Sequence, residues 1–177
     1  MSVTLRPAVE DDLDRVGHLV AHAYLADGLI HEQHPYLAEL RDAAHRADQA
    51  TVLVAVDEGA VVGTVTLAVA GSPYAEIAEP GEAEIRMLAV DPSARGRGLG
   101  EALVRAAAQH GLSHGLEAVI LTTMPAMAAA QRMYARLGFE RVPERDWSVE
   151  GQELLVYRVA ALDLGDGPGG PDAESRA

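Results

Sequence analysis

The stretch MLAVDPSARGRGLGEALV, residues 87–104, decides how this chain is read. An apolar run ends in a turn at Asp91 and Pro92, and Arg95, Gly96, Arg97, Gly98, Leu99 and Gly100 then open an amphipathic helix. Glycines at such a point let the main chain approach a ligand closely, and the first free N–H groups of the helix converge there with the positive end of its dipole. The spacing predicts an anion cradle suited to a pyrophosphate. A Walker-type loop needs Gly-Lys-Ser/Thr, and the chain contains no lysine. A dinucleotide fingerprint starting at Gly96 needs glycine where Glu101 stands, and an acidic residue near the end of the next strand, where AVILTT offers threonine. The glycines by themselves leave one alternative open, a connection made Gly-rich only for tight strand-to-helix packing.

Upstream, VTLRPA (3–8) alternates like a strand. Glu10, Asp11 and Asp12 then put negative charge on the first turn of a helix striped by Leu13, Val16, Leu19, Val20 and Ala23. Residues 27–36, rich in Gly, His and Pro, read as a loop beside a pocket, and YLAELRDAAHRADQ (36–49) as one short helix. TVLVAVD (51–57) and VVGTVTLAVA (61–70) form a hairpin about Asp57, Glu58 and Gly59. Gly71 to Gly81 reads as a long surface loop before the strand EIRMLAV (84–90). Downstream come a helix over 98–114 with Leu99, Ala102, Leu103, Ala106 and His110 on one face, the strand AVILTT (118–123), and a second helix capped by Gly138. FERVPERDW (139–147) and ELLVYRVAAL (153–162) supply the last two strands, and residues 163–177 form a polar tail expected to be disordered.

Composition narrows the chemistry. A chain of 177 residues, 49% hydrophobic, supports one domain, expected over residues 1–162. No run approaches a membrane span and the start lacks a secretion signal, so a cytoplasmic protein without membrane contact is expected. The absence of cysteine removes disulfides, thiolate metal sites and cysteine nucleophiles. All 14 basic residues are arginine, which removes Schiff-base lysine chemistry. Heavy use of Ala and Arg without Asn suggests a GC-rich, bacterial genome. A formal net charge of −13 disfavours nucleic acid and favours cationic acceptors.

The glycine run resembles motif A of the GNAT acetyltransferase superfamily, Arg/Gln-x-x-Gly-x-Gly/Ala, with Arg95, Gly98 and Gly100 in the three positions. MYARLGF (133–139) resembles motif B, and the order of elements over residues 3–161 is similar to the family's. The resemblance implies an α/β fold: a mixed, mostly antiparallel sheet of about seven strands with helices on both faces. Its only parallel neighbours would be β4 (84–90) and β5 (118–123), splayed around acetyl-CoA. It also implies that Leu88, Ala89 and Val90 meet the pantetheine arm through main chain, and that the amides of Arg95, Gly96, Arg97, Gly98, Leu99 and Gly100 meet the pyrophosphate.

By the same resemblance, Tyr134 occupies the motif B tyrosine position, protonates the leaving thiolate and touches the cofactor. A core role competes, since Met127, Ala130, Tyr134 and Leu137 form a helical stripe. The family often has asparagine where Met127 stands, so the cofactor would be held there by backbone or packing. A lysine-like amine, with a pKa of about 10.4, needs deprotonation before it attacks. Glu84 is the candidate base, aligned with the glutamate of histone acetyltransferases in this superfamily and read on the same strand face as Leu88. The competing role for Glu84 is a salt bridge to Arg86, and Glu82 is the fallback base. A backbone N–H near Leu88 or Ala89 would meet the polarised carbonyl.

The expected activity is acetyl transfer from acetyl-CoA to an amine of a small molecule or peptide, by direct attack in a ternary complex. A non-catalytic acyl-CoA-binding or sensing domain is the alternative. Tyr24 and His31 are candidate substrate contacts, Trp147 a packing anchor or pocket wall, and a homodimer is among the assemblies allowed. No metal is expected, since the pairs His18–His22 and His110–His114 lack a third ligand.

Overall fold

The computed structural model describes residues 2–160. The order is β1 (Thr4–Pro7), α1 (Leu13–Ala26), α2 (Tyr36–Arg41), α3 (Ala43–Gln49), β2 (Thr51–Asp57), β3 (Ala60–Val69), β4 (Glu82–Val90), α4 (Leu99–Ser113), β5 (Ala118–Thr123), α5 (Ala128–Arg136), β6 (Glu140–Arg141), β7 (Trp147–Val149) and β8 (Gln152–Ala160). The strands form one sheet of eight in the order β1-β2-β3-β4-β5-β8-β6, with β7 also on β8. Every pairing is antiparallel except β4 with β5. The expected tail, residues 163–177, lies outside the described residues. Among the described residues no helix is long and apolar enough to cross a membrane.

Two apolar layers sandwich the sheet. On one face Leu103, Val104, Ala107 and Ala108 of α4 pack with Leu53, Val65, Ile85, Val119 and Leu121. On the other, Val16, Leu19 and Val20 of α1 and Leu37 and Leu40 of α2 cover Val52, Val54, Ala68 and Met87. At roughly 25 cal/mol per Å² of apolar area removed from water, such two-sided burial is what holds the central strands.

Two elements differ from the sequence reading. The single helix expected over 36–49 is broken at Asp42, whose carboxylate accepts from the His45 N–H at 3.0 Å and starts α3 as a cap. Arg46, fully buried, donates to the carbonyls of Glu39 and Leu40 at 3.2 Å and closes the end of α2. The strand expected over 139–147 is split by Pro143 into β6 and β7, which brings the sheet to eight strands. A two-point ion pair between Arg141 and Asp146, both contacts 2.7 Å, bridges the split.

β4 and β5 pair only from Glu82–Ala118 to Ile85–Leu121. Beyond that register Arg86–Val90 and Thr122–Thr123 part company, and the edge of β4 that faces β5 is left without a strand partner. On its other side β4 carries a bulge: Thr66 opposes Arg86 and Thr64 opposes Ala89, so Met87 and Leu88 share Val65. Met87 takes φ +54°, a left-handed conformation that a side chain of this size rarely adopts.

Candidate active site

The parted strands open into a cavity of about 550 Å³. Ile85, Arg86, Met87 and Leu88 form its β4 wall, Leu121, Thr122 and Thr123 its β5 wall, and Met133 and Tyr134 of α5 close one side. Tyr24 of α1, Tyr36 of α2, Glu76 of the β3–β4 loop and Trp147 of β7 complete the far side.

Tyr134 sits on the buried face of α5 and on the cavity wall. Its ring packs against Phe139 and Tyr157, with centroids 6.0 and 5.8 Å away. The aromatic core and the cavity wall therefore meet in one residue. Among the described residues its hydroxyl has no hydrogen-bond partner. Burial pushes the phenol up to about 12, so it keeps its proton at neutral pH. Gly138 ends the helix as expected, and the Phe139 N–H reaches back to the Tyr134 carbonyl at 3.0 Å.

Glu84 is not on the face expected for it. The bulge at Met87 advances the strand's alternation by one residue, so Leu88 packs with α4 while Glu84 faces the α1 side opposite Ala68. Its carboxylate, 1% exposed, accepts the backbone N–H groups of Glu76 and Ile77 at 2.7 and 3.0 Å and does not line the cavity. Nor does it pair with Arg86, whose guanidinium contacts Glu76 at 2.9 Å, the Tyr36 hydroxyl at 2.8 Å and the Tyr74 carbonyl at 2.8 Å. Glu82 is engaged as well, by Arg145 and Arg158 at 2.9 to 3.1 Å. Burial pushes its carboxyl up, but those hydrogen bonds outweigh burial and hold it below its ordinary range.

The glycine turn lies beyond the cavity, where β4 runs out. Gly96 and Gly98 take φ +76° and +74°, and a Cβ added to either would meet no heavy atom within 4 Å. Gly98 is the N-cap of α4 and has no side chain to satisfy the helix. Ala102 is the first helical donor with an acceptor, the Gly98 carbonyl at 3.0 Å. The amides of Leu99, Gly100 and Glu101 have none among the described residues. The neighbouring arginines leave this surface open: Arg97 pairs with Asp57 at 2.7 Å, and Arg95 donates to the Val90 carbonyl at 3.3 Å. Leu88 connects the two regions, lining the cavity while its Cδ2 sits 4.0 Å from where a Gly100 Cβ would stand. Ala89 is buried on the α1 side and Val90 packs toward α4, so both can offer only main chain to the parted edge.

Of the candidate substrate contacts, Tyr24 lines the cavity and His31 does not. His31 stacks edge-on against His34, which does line it. Met127 lines the cavity and receives the Thr123 hydroxyl at its sulfur, 3.7 Å away. Tyr36 and Glu76 escaped the sequence reading: one sits in a six-residue helix and the other in an irregular loop, where no periodicity marks an inward residue. Trp147 forms part of the wall, and its indole N–H is buried without a partner among the described residues. Among those residues no group of three or more His, Asp or Glu side chains could hold a metal ion.

The sequence matches the Acetyltransferase (GNAT) family over residues 15–139, and the chain belongs to that family. It is 38% identical to a mycothiol acetyltransferase of Cellulomonas flavigena over 96 residues, 53% of this chain and 28% of the relative. It is 31% identical to the N-acetylaspartate synthetase of Danio rerio over 112 residues, 60% of this chain and 37% of that protein. The chain thus spans less than two-fifths of the length of these curated relatives. Among solved structures, yncA of Salmonella typhimurium with its cofactor acetyl-CoA superposes with a TM-score of 0.70 at 20% identity, over 98% of this chain and 99% of that one. The PaiA N-acetyltransferase of Thermoplasma acidophilum in complex with coenzyme A gives 0.68 at 15% identity, over 88% and 98%. These likenesses show the fold.

Proposed function

We propose that this protein binds acetyl-CoA along the parted edge of β4 and transfers its acetyl group to a primary amine held in the cavity, by direct attack in a ternary complex. One observation carries the reading: an open, glycine-rich turn with unpaired amides leads along a strand edge without a partner into a cavity that holds a protonated, unpartnered phenol. The residues fit the cofactor. Unpaired helix N-terminal amides suit a diphosphate, positive φ without side chains leaves it room, and the free edge of β4 offers main-chain partners to an amide-bearing arm. The names of the relatives agree with acetyl transfer.

Bound acetyl-CoA supplies the thioester that the amine attacks. The chain's own contribution is orientation, water exclusion and proton handling. Main-chain N–H at the Met87–Leu88 bulge, held in a strained conformation by the packing of both layers, is placed to meet the polarised carbonyl oxygen. Tyr134 Oη carries a proton for the departing sulfur. The tyrosinate left behind regains one from the nitrogen that has gained the acetyl group, so the phenol is restored at each turnover. Met127, Met133 and Ala130 keep that end of the cavity apolar.

A thiol-release assay with acetyl-CoA and a panel of primary amines tests the reading, alongside calorimetry with coenzyme A. Amine-dependent thiol release supports transfer. Tight coenzyme A binding without any release moves the chain to the binding-only alternative.

A further inference from the structure

The cavity's charged lining is lopsided. Among the described residues Asp27, Glu76 and Glu150 supply carboxylates against the one guanidinium of Arg86. Of these acids, Glu150 sits on the exposed β7–β8 turn, 3.6 Å from His34, and Asp27 is exposed at the end of α1. Glu76 alone is gripped from two sides. Its own N–H and that of Ile77 are anchored on Glu84, and its carboxylate sits 2.9 Å from Arg86, itself tied to the Tyr74 carbonyl and the Tyr36 hydroxyl. The Glu76 side chain nevertheless stays 41% exposed, and its second oxygen receives no hydrogen bond among the described residues. A carboxylate fixed in place, open on one side and beside the rings of Tyr24 and Tyr36, is built to receive a cation. Tyr24, Leu29, Ile30, Tyr36 and Trp147 add apolar surface to the same cavity.

We propose that Glu76 is the acceptor-binding carboxylate: it receives the ammonium group of a primary amine with an aromatic or apolar body and takes one proton from it. Glu84 and Arg86 are positioning residues that act through Glu76. In this step an N–H bond of the ammonium breaks, an O–H bond forms on Glu76, and the freed lone pair becomes the nucleophile. Glu76 returns its proton to solvent through the open side of the cavity. The inference rests on the acetyl-transfer reading for its catalytic part, while its binding part stands without turnover.

The experiment therefore has two arms. In the first, 2-phenylethylamine and its uncharged counterpart 2-phenylethanol are titrated into the coenzyme A-supplemented protein and followed by calorimetry and thermal shift. The amine binds at least about tenfold more tightly than the alcohol in the wild type. Glu76→Gln removes that difference while coenzyme A affinity is unchanged. In the second, steady-state thiol release with 2-phenylethylamine gives Glu76→Gln an amine KM raised about tenfold and a kcat lowered about a hundredfold, partly rescued by Glu76→Asp. Glu84→Gln, which still presents an oxygen to both loop amides, moves amine KM and kcat in the same direction as Glu76→Gln and by less. Equal binding of amine and alcohol by the wild type, or an unchanged preference in Glu76→Gln, overturns the assignment of Glu76. A kcat lost in Glu84→Gln and kept in Glu76→Gln also overturns it and makes Glu84 the base. Failure of the wild type to bind coenzyme A or release thiol instead sinks the acetyl-transfer reading and leaves the amine preference to be judged by the first arm.

Discussion

Replacing Gly98 with alanine separates the structural cost of the glycine turn from its role in binding. An added Cβ at Gly98 meets no heavy atom within 4 Å, so no clash contributes. The whole structural cost lies in holding an L-residue at φ +74°, about 1–2 kcal/mol. For a chain of this size that lowers Tm by roughly 2–8 °C. Gly115, just past the other end of α4, provides a matched control, with φ +86° and equally open surroundings. Gly115→Ala therefore costs about the same stability. Only the methyl at 98 stands where a diphosphate would close on the unpaired amides of Leu99, Gly100 and Glu101. Losing one charge-assisted hydrogen bond there costs about 1.5–3 kcal/mol, or roughly ten- to hundredfold in Kd for coenzyme A. Calorimetry and melting curves on both variants measure the two quantities. If Gly98→Ala keeps wild-type affinity, or if Gly115→Ala loses as much, the anion cradle is refuted.

Three other outcomes follow from the contacts described. Tyr134→Phe removes a proton donor that no described residue engages, so kcat should fall at least tenfold with little change in coenzyme A affinity or Tm; an unchanged kcat takes the phenol out of the mechanism. Glu82→Gln leaves Arg145 and Arg158 facing a buried neutral amide and should cost about 2 kcal/mol in denaturant unfolding; a loss below about 0.5 kcal/mol shows that the cluster is screened by water. Asp12, Glu82 and Asp146 are all held below the ordinary carboxylate range, Asp12 by Arg6 and Asp146 by Arg141 through hydrogen bonds, and Glu82 by Arg145 and Arg158 against its burial. A depressed folded-state pKa contributes stability that is complete above the unfolded value of about 4 and drains away as pH falls through the lower folded value. Urea midpoints should therefore hold steady from neutral pH down to about 5 and drop below about 4; a flat profile to pH 3 would remove these pairs from the stability account.

The parts of the fold that could be read from residues are those fixed by local chemistry. The alternation of TVLVAVD, the turn at Asp57–Gly59 and the stripe of α4 each specify an element without help from the rest of the chain. The glycine turn was legible for the same reason, since backbone freedom is written in residue type. What escaped depends on distant partners. Asp42 is as compatible with a continuing helix as with a cap until Arg46 is seen closing α2 beneath it. Counting in twos puts Glu84 on the face of Leu88, and the bulge that breaks the count arises from the register against β3, invisible in EIRMLAV. Glu76 is harder still, because its position depends on Glu84 and Arg86 gripping an irregular loop.

The extra residue in β4 has a consequence for how this chain tolerates change. It works as a gear shift halfway along one strand: before it charged groups point toward α1, and after it Leu88 and Val90 point toward α4. A family member that paired the same residues of β4 without the bulge would not merely straighten the strand. Every side chain downstream would swap sides, sending Leu88 away from the glycine turn and Met87 into the α4 layer, because regular pairing of all the residues alternates faces one step out of phase. Bulge and residue count are therefore tied: a strand that loses the bulge keeps its downstream faces only by losing one residue at the same point.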